Sequence, residues 1–80
     1  MTKVVLPQLG ENIEKATVSY WYVQPGAKVK EKDDLVEVTT DKATYNVPAP
    51  CSGVLAEILI QEGNAANIGE ILALIEEDKA

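Results

Sequence analysis

The chain has 80 residues, 46% hydrophobic and 25% charged, with 13 acids against 7 lysines for a formal charge of −6. Such a length allows one small domain with a thin core, because so short a chain buries only about 60% of its unfolded surface. There is no His, no Arg, no Phe and only one Cys, which removes the commonest general base, the usual zinc ligands and any internal disulfide, while an acidic surface without arginine repels phosphate backbones and argues against nucleic acid.

From the amino terminus onward the signal is β throughout: short runs rich in Val, Ile, Leu, Thr and Tyr, punctuated by Gly, Pro, Asn and Asp. Strands are expected over 3–6, 17–23, 28–30, 35–40, 43–47, 54–60, 65–67 and 71–76. The first run, Val4-Val5-Leu6, follows Met1-Thr2-Lys3 directly, so no signal peptide is expected. Gln8 to Lys15 reads as a surface loop. Gln24-Pro25-Gly26-Ala27 has Pro and Gly in the central positions of a type II turn, and Gln61-Glu62-Gly63-Asn64 repeats the punctuation. The longest apolar run, Val54 to Ile60, is interrupted by Glu57 and falls far short of the roughly 20 residues of a membrane helix. With a lone Cys, a reducing, cytoplasmic setting is expected, or a mitochondrial matrix if a transit peptide has been removed.

The chain repeats itself. At an offset of 37, residues 18–43 lie on 55–80 without a gap, with identities at Gln24/Gln61, Gly26/Gly63, Leu35/Leu72 and Asp41-Lys42-Ala43/Asp78-Lys79-Ala80. Apolar residues also meet at Val18/Leu55, Trp21/Ile58 and Val38/Ile75. Upstream, Val5-Leu6-Pro7 is matched with Asn46-Val47-Pro48 at an offset of 41, which gives the first half four extra residues within the 8–15 loop. Two copies suit two similar half-domains packed face to face about a pseudo-two-fold axis rather than a solenoid.

Leu35 to Pro50 is the most informative stretch. With Asp41 and Lys42 at the centre of a tight turn, the cross-strand pairs become Thr40:Ala43, Thr39:Thr44, Val38:Tyr45, Glu37:Asn46 and Val36:Val47. The apolar pairs then share one face and the polar pairs the other, and a slip of one residue would mix them. Neither central residue is Gly or Asn, so a type I turn is expected rather than I′. Lys42 falls at the exposed tip of a hairpin rooted in the core.

Glu37-Val38-Thr39-Thr40 before Asp41-Lys42-Ala43, and Val47-Pro48-Ala49-Pro50 with Ser52-Gly53 after it, resemble the lipoyl domain of dihydrolipoyl acyltransferases, the acyl-carrying components of 2-oxoacid dehydrogenase complexes. So do the opening Val5-Leu6-Pro7-Gln8-Leu9-Gly10-Glu11, the turn at Gly26, and Glu62-Gly63 with Gly69-Glu70, so the resemblance covers essentially the whole chain. It implies a flattened β-barrel or sandwich of two four-stranded antiparallel sheets with quasi-two-fold symmetry, all-β, the domain filling 1–77 and a linker opening at 78–80. It implies lipoic acid in amide linkage to Lys42, with Asp41 and Ala43 shaping the turn for the lipoate ligase or lipoyl transferase. It further implies a carrier without an active site of its own. That carrier would serve a thiamine-diphosphate 2-oxoacid decarboxylase, an acyltransferase catalytic domain and a dihydrolipoyl dehydrogenase, with neither nucleic acid nor membrane as partner. The 8–15 loop would help the decarboxylase recognise its carrier, through Glu11, Asn12 and Glu14.

Physically, lysine suits a carrier arm, since it supplies four methylenes and a nucleophilic amine. Lys79 repeats the tripeptide but has no returning strand, and is read as a solvated residue. The biotinyl domain of biotin-dependent carboxylases is the nearest alternative; its lysine typically lies between two methionines, whereas the neighbours here are Asp41 and Ala43. An unmodified adaptor barrel is the other. In the run Val18 to Val23, strict alternation places Ser19, Trp21 and Val23 inward and Tyr20 and Tyr22 outward, with Ala56, Ile58 and Ile60 inward in the repeat. Cys51 has no predicted His or Arg neighbour, and no reactive role is expected.

Overall fold

Every apolar run is too short and too rich in β-branched residues for a helix, and in the computed structural model, which describes residues 1–10 and 12–77, each becomes a strand. In chain order these are β1 (Thr2–Val5), β2 (Lys15–Trp21), β3 (Lys28–Val29), β4 (Asp34–Thr39), β5 (Thr44–Pro48), β6 (Gly53–Ile58), β7 (Ala65–Asn67) and β8 (Ile71–Glu77). They form two antiparallel sheets ordered β1-β8-β6-β3 and β5-β4-β2-β7. Each sheet keeps two free edges, so the architecture is a flattened sandwich rather than a closed barrel. Residues 78–80, read as the start of a linker and containing Lys79, lie outside the described residues, as does Glu11.

The internal repeat is structural. Replacing β1, β8, β6 and β3 by β5, β4, β2 and β7 converts one sheet order into the other. The two halves also hold each other reciprocally. Gly26 N–H donates to the Leu55 carbonyl and Leu55 N–H to that of Ala27; at the equivalent places Gly63 N–H donates to the Val18 carbonyl and Val18 N–H to that of Asn64. Gly26 and Gly63 take φ of 95° and 89°, and Ala27 and Asn64 donate back to the carbonyls of Gln24 and Gln61. Those are the marks of the two expected type II turns.

The alignment of the first strand needs correction. Val4 pairs with Ala73, and Val47 pairs with Val36, the repeat partner of Ala73. Leu6 exchanges backbone bonds with Gly69 and Glu70, as Ala49 does with Lys32 and Asp33. Val4 therefore matches Val47, an offset of 43 (47 − 4) rather than 41, and the first half carries six extra residues (43 − 37) rather than four. The shared proline in Leu6-Pro7 and Val47-Pro48 suggested the wrong register.

Strict alternation also fails within β2. The pairing of β2 with β4 shifts between Val18 and Tyr20, and that of β6 with β8 shifts between Leu55 and Glu57. The extra residue of each bulge reverses the alternation beyond it. Val18 and Trp21 are both buried, as is Leu55, while Ser19 is exposed rather than inward. Ser19 instead hydrogen-bonds Thr39 on the outer face. Ala56 is only half-buried for the same reason, with Leu55 taking the inward place. Trp21 does point inward, donating its indole N–H to the Ile60 carbonyl at 2.9 Å, and Tyr20 and Tyr22 do point outward.

The core between the sheets is wholly apolar. Leu35, Val36, Val38, Leu55, Leu72 and Ile75 are fully buried, and the described residues include no buried polar side chain. Leu35 and Leu72 sit at matching irregularities, where β4 meets β5 and β8 meets β1.

Candidate functional site

The hairpin of β4 and β5 forms in the register its polarity demands. Thr39 faces Thr44, Val38 faces Tyr45, Glu37 faces Asn46 and Val36 faces Val47. Val36, Val38 and Val47 are buried with Tyr45 half-buried behind them, so the core holds the root of the hairpin. Beyond Thr39 the strands lose the core. Asp41, Lys42 and Ala43 are all exposed, and the lysine stands at the tip.

Positive φ among the described non-glycine residues is confined to Asn12 and Lys32, so Asp41 and Lys42 avoid the left-handed region, as their side chains require. The turn is nonetheless not closed by backbone alone. Thr40 N–H donates to the Ala43 carbonyl at 2.8 Å, but Ala43 N–H goes to the Thr40 hydroxyl at 3.0 Å. Lys42 N–H reaches the same oxygen at 3.2 Å, and the hydroxyl donates to the Ala43 carbonyl at 2.9 Å. One hydroxyl thus joins three backbone groups of the tip. Sequence reading overlooked Thr40; the available signal was a threonine placed to bond backbone two and three residues ahead.

The 8–15 loop comes to the same end of the molecule. A Cβ on Gly10 would lie 3.8 Å from the Tyr45 hydroxyl, so the loop packs beside β5, three residues from Lys42. Ile13 N–H donates to the Gly10 carbonyl, the Gln8 amide donates to that carbonyl, and the Glu14 carbonyl accepts from Ile68. Asn12, with φ of 66°, and Glu14 are exposed on it. The tip and the loop, adjacent in space, are 30 residues apart in sequence (42 − 12).

Further along the outer face of this sheet, Tyr20 and Tyr22 pack edge to face with centroids 5.2 Å apart. Tyr22 donates to the Asn46 side chain at 3.2 Å. Its phenol is held above the ordinary tyrosine range by partial desolvation, and then by the negative charges of Glu37 and Asp34. Three surface grooves lie elsewhere, one between Thr2 and Glu76–Glu77, one along Val5, Pro7 and Pro48, one beside Lys28 and Ser52. The tip is a projection, and its chemistry is that of a presented amine.

A family model described as "Biotin-requiring enzyme", the biotin/lipoyl domain, matches residues 2–75. The lipoamide acyltransferase component of the branched-chain alpha-keto acid dehydrogenase complex of Bacillus subtilis is 38% identical over 78 residues, 98% of this chain and 18% of that protein. The dihydrolipoyllysine-residue succinyltransferase component of the 2-oxoglutarate dehydrogenase complex of Rickettsia conorii is 40% identical over 75 residues, 94% of this chain and 19% of that protein. The chain thus spans less than a fifth of either relative. In structure, the lipoyl domain of the 2-oxoglutarate dehydrogenase complex from Azotobacter vinelandii superposes with a TM-score of 0.78 at 34% identity, covering 99% of this chain and 100% of that one. A single-chain, multi-domain long-chain acyl-CoA carboxylase shares the fold at 20% identity, with a TM-score of 0.73, over 81% of this chain and 7% of that one.

Proposed function

Because the chain belongs to the biotin/lipoyl domain family, and its relatives are acyltransferase components of 2-oxoacid dehydrogenase complexes, we propose that it is a lipoyl carrier domain with Lys42 as the attachment point. The observation that carries this reading is the projecting tip: an exposed lysine held on a two-stranded base that is itself anchored in the core. The residues fit the group. A lysine with no enclosing pocket can take a long acyl chain without steric conflict, and amide formation costs the fold nothing, since no described hydrogen bond uses the amine.

Attachment uses the neutral form of the amine, whose lone pair is free to attack. The Lys42 Nζ lone pair attacks the carboxyl carbon of an activated acyl donor supplied by the modifying enzyme. The carbon–nitrogen bond forms, the bond to the leaving group breaks, and the leaving group departs with the electron pair. A base on the modifying enzyme takes the amine proton. Asp41 and Ala43 are the neighbours such an enzyme meets first. When bound, the lipoyl dithiolane supplies sulfurs that take up an acyl group and two electrons. The chain's own contribution is to anchor, project and be recognised. Its partners are the decarboxylase, acyltransferase and flavin dehydrogenase activities of a 2-oxoacid complex, and Asn12 and Glu14 on the neighbouring loop, with Glu11 between Gly10 and Asn12 in sequence, contribute recognition by the decarboxylase.

Intact mass after expression with lipoate and a lipoate ligase tests the assignment. One lipoyl increment is expected, absent in Lys42→Ala and kept in Lys79→Ala. An unmodified wild-type chain overturns the reading, and a biotin increment with a biotin ligase would transfer it to carboxyl carriage. Exchanging Gln8–Lys15 for the loop of another family member should lower acylation by the decarboxylase and leave lipoylation intact; equal acylation removes the loop from recognition.

A further inference from the structure

We propose that the Thr40 hydroxyl is a positioning group for modification of Lys42, fixing the tip so that the amine is delivered to the modifying enzyme at a constant place. The inference rests on the lipoyl-carrier reading above.

The tip has little else to fix it. Asp41, Lys42, Ala43 and Thr44 are exposed, whereas Thr40 is half-buried. Among the described hydrogen bonds, the N–H groups of Lys42 and Ala43 have the Thr40 hydroxyl as their protein partner. The hydroxyl also donates to the Ala43 carbonyl, which already accepts from Thr40 N–H. A type I turn would ordinarily close through the first carbonyl and the fourth N–H. Here the side chain takes that N–H and adds that of Lys42 itself. Without the hydroxyl, both amides fall to water, and the two turn residues gain freedom at the one place where no apolar contact restrains them.

A modifying enzyme that meets a fluctuating tip sees the competent conformation only part of the time, and its effective affinity falls by that fraction. The second Asp-Lys-Ala gives a sequence contrast: the residue matching Thr40 is Glu77, which has no hydroxyl. The tripeptide is repeated, but the group that closes the first turn is not.

The experiment compares the wild type, Thr40→Val and Thr40→Ser, with initial rates of lipoylation followed by intact mass and backbone amide exchange followed by NMR. Val keeps the branching and loses the hydroxyl, and Ser does the reverse. Thr40→Val should lower kcat/KM for lipoylation by roughly 5- to 10-fold, as a loss of competent population of that size requires. Thr40→Ser should stay within about twofold of the wild type. Exchange at Lys42 and Ala43 should quicken in Thr40→Val alone, with the core amides unchanged. Equal rates for Thr40→Val and wild type would overturn the inference, as would a Thr40→Ser variant as impaired as Thr40→Val. Neither result touches the carrier reading, which fails separately if the wild type itself takes no lipoyl increment.

Discussion

The two halves of this molecule follow one plan, and they differ in few places. Both use a glycine turn to clasp the opposite half, both bulge their central strand one residue after a buried aliphatic, and both bury a leucine at the same irregularity. Among the described residues, a closed hairpin tip and a six-residue insertion belong to the first half, and these lie side by side. The comparison separates two tasks: what is duplicated builds the core, and what is unique to one half makes the surface that presents Lys42.

Substitutions across the pseudo-two-fold axis can break that comparison. The largest effects should come from the core. Leu35→Ala and Leu72→Ala should each cost about 3 kcal/mol in urea unfolding and agree within about 0.5 kcal/mol, as truncations in equivalent fully buried surroundings. A clear inequality would mean that one half carries more of the stability. Gly53 and Ala16 are repeat partners that differ. A Cβ on Gly53 would run into the backbone of Glu76, so Gly53→Ala should cost about 3 kcal/mol, while Ala16 already holds a methyl at the matching place. Gly26→Ala and Gly63→Ala should each cost about 1–2 kcal/mol, since each forces a side chain into positive φ with open space around it. The smallest effect concerns Lys32, which holds φ of 76° where the second half has Gly69 at 87°. Lys32→Gly should raise stability by about 0.5–1 kcal/mol, the relief of a left-handed lysine less the added chain entropy, and Gly69→Lys should lower it by a similar amount. A destabilised Lys32→Gly would show that the side chain does something there beyond tolerating the turn.

Much of this was legible in the sequence because polarity alone selects it. The hairpin register follows from Val36, Val38 and Val47 needing one face, and the two-fold plan follows from identities around Gly26/Gly63 and Leu35/Leu72. The bulges were missed because alternation was carried straight through Ser19. Val18 and Trp21 are three apart and both large, and their partners Leu55 and Ile58 repeat that spacing, which strict alternation cannot bury on one side. The six-residue insertion was undercounted because two prolines were aligned rather than two buried valines, Val4 and Val47. Thr40 escaped notice for a different reason: its contribution is a set of hydrogen bonds to three backbone groups, and only the folded turn brings those groups to it.

Across the pseudo-two-fold axis, the closed tip corresponds to the far end of β8. Where the first half turns at Asp41–Lys42, the second half brings β8 alongside β1, with Ile75 opposite Thr2 and the Thr2 hydroxyl bonded to Glu77. β8 starts beside Asn67 and Ile68, which pair with Lys15 and Glu14 near the tip, and it runs away from there. Lys42 and the Glu77 end of β8 are therefore at opposite poles of a body whose longest extent is 39 Å. A pull applied at one pole and resisted at the other would load the strand pairs lengthwise, so that a whole row of ladder bonds must yield together. The sandwich is in this sense a stiff spacer that sets the Lys42 tip at the pole opposite Glu77.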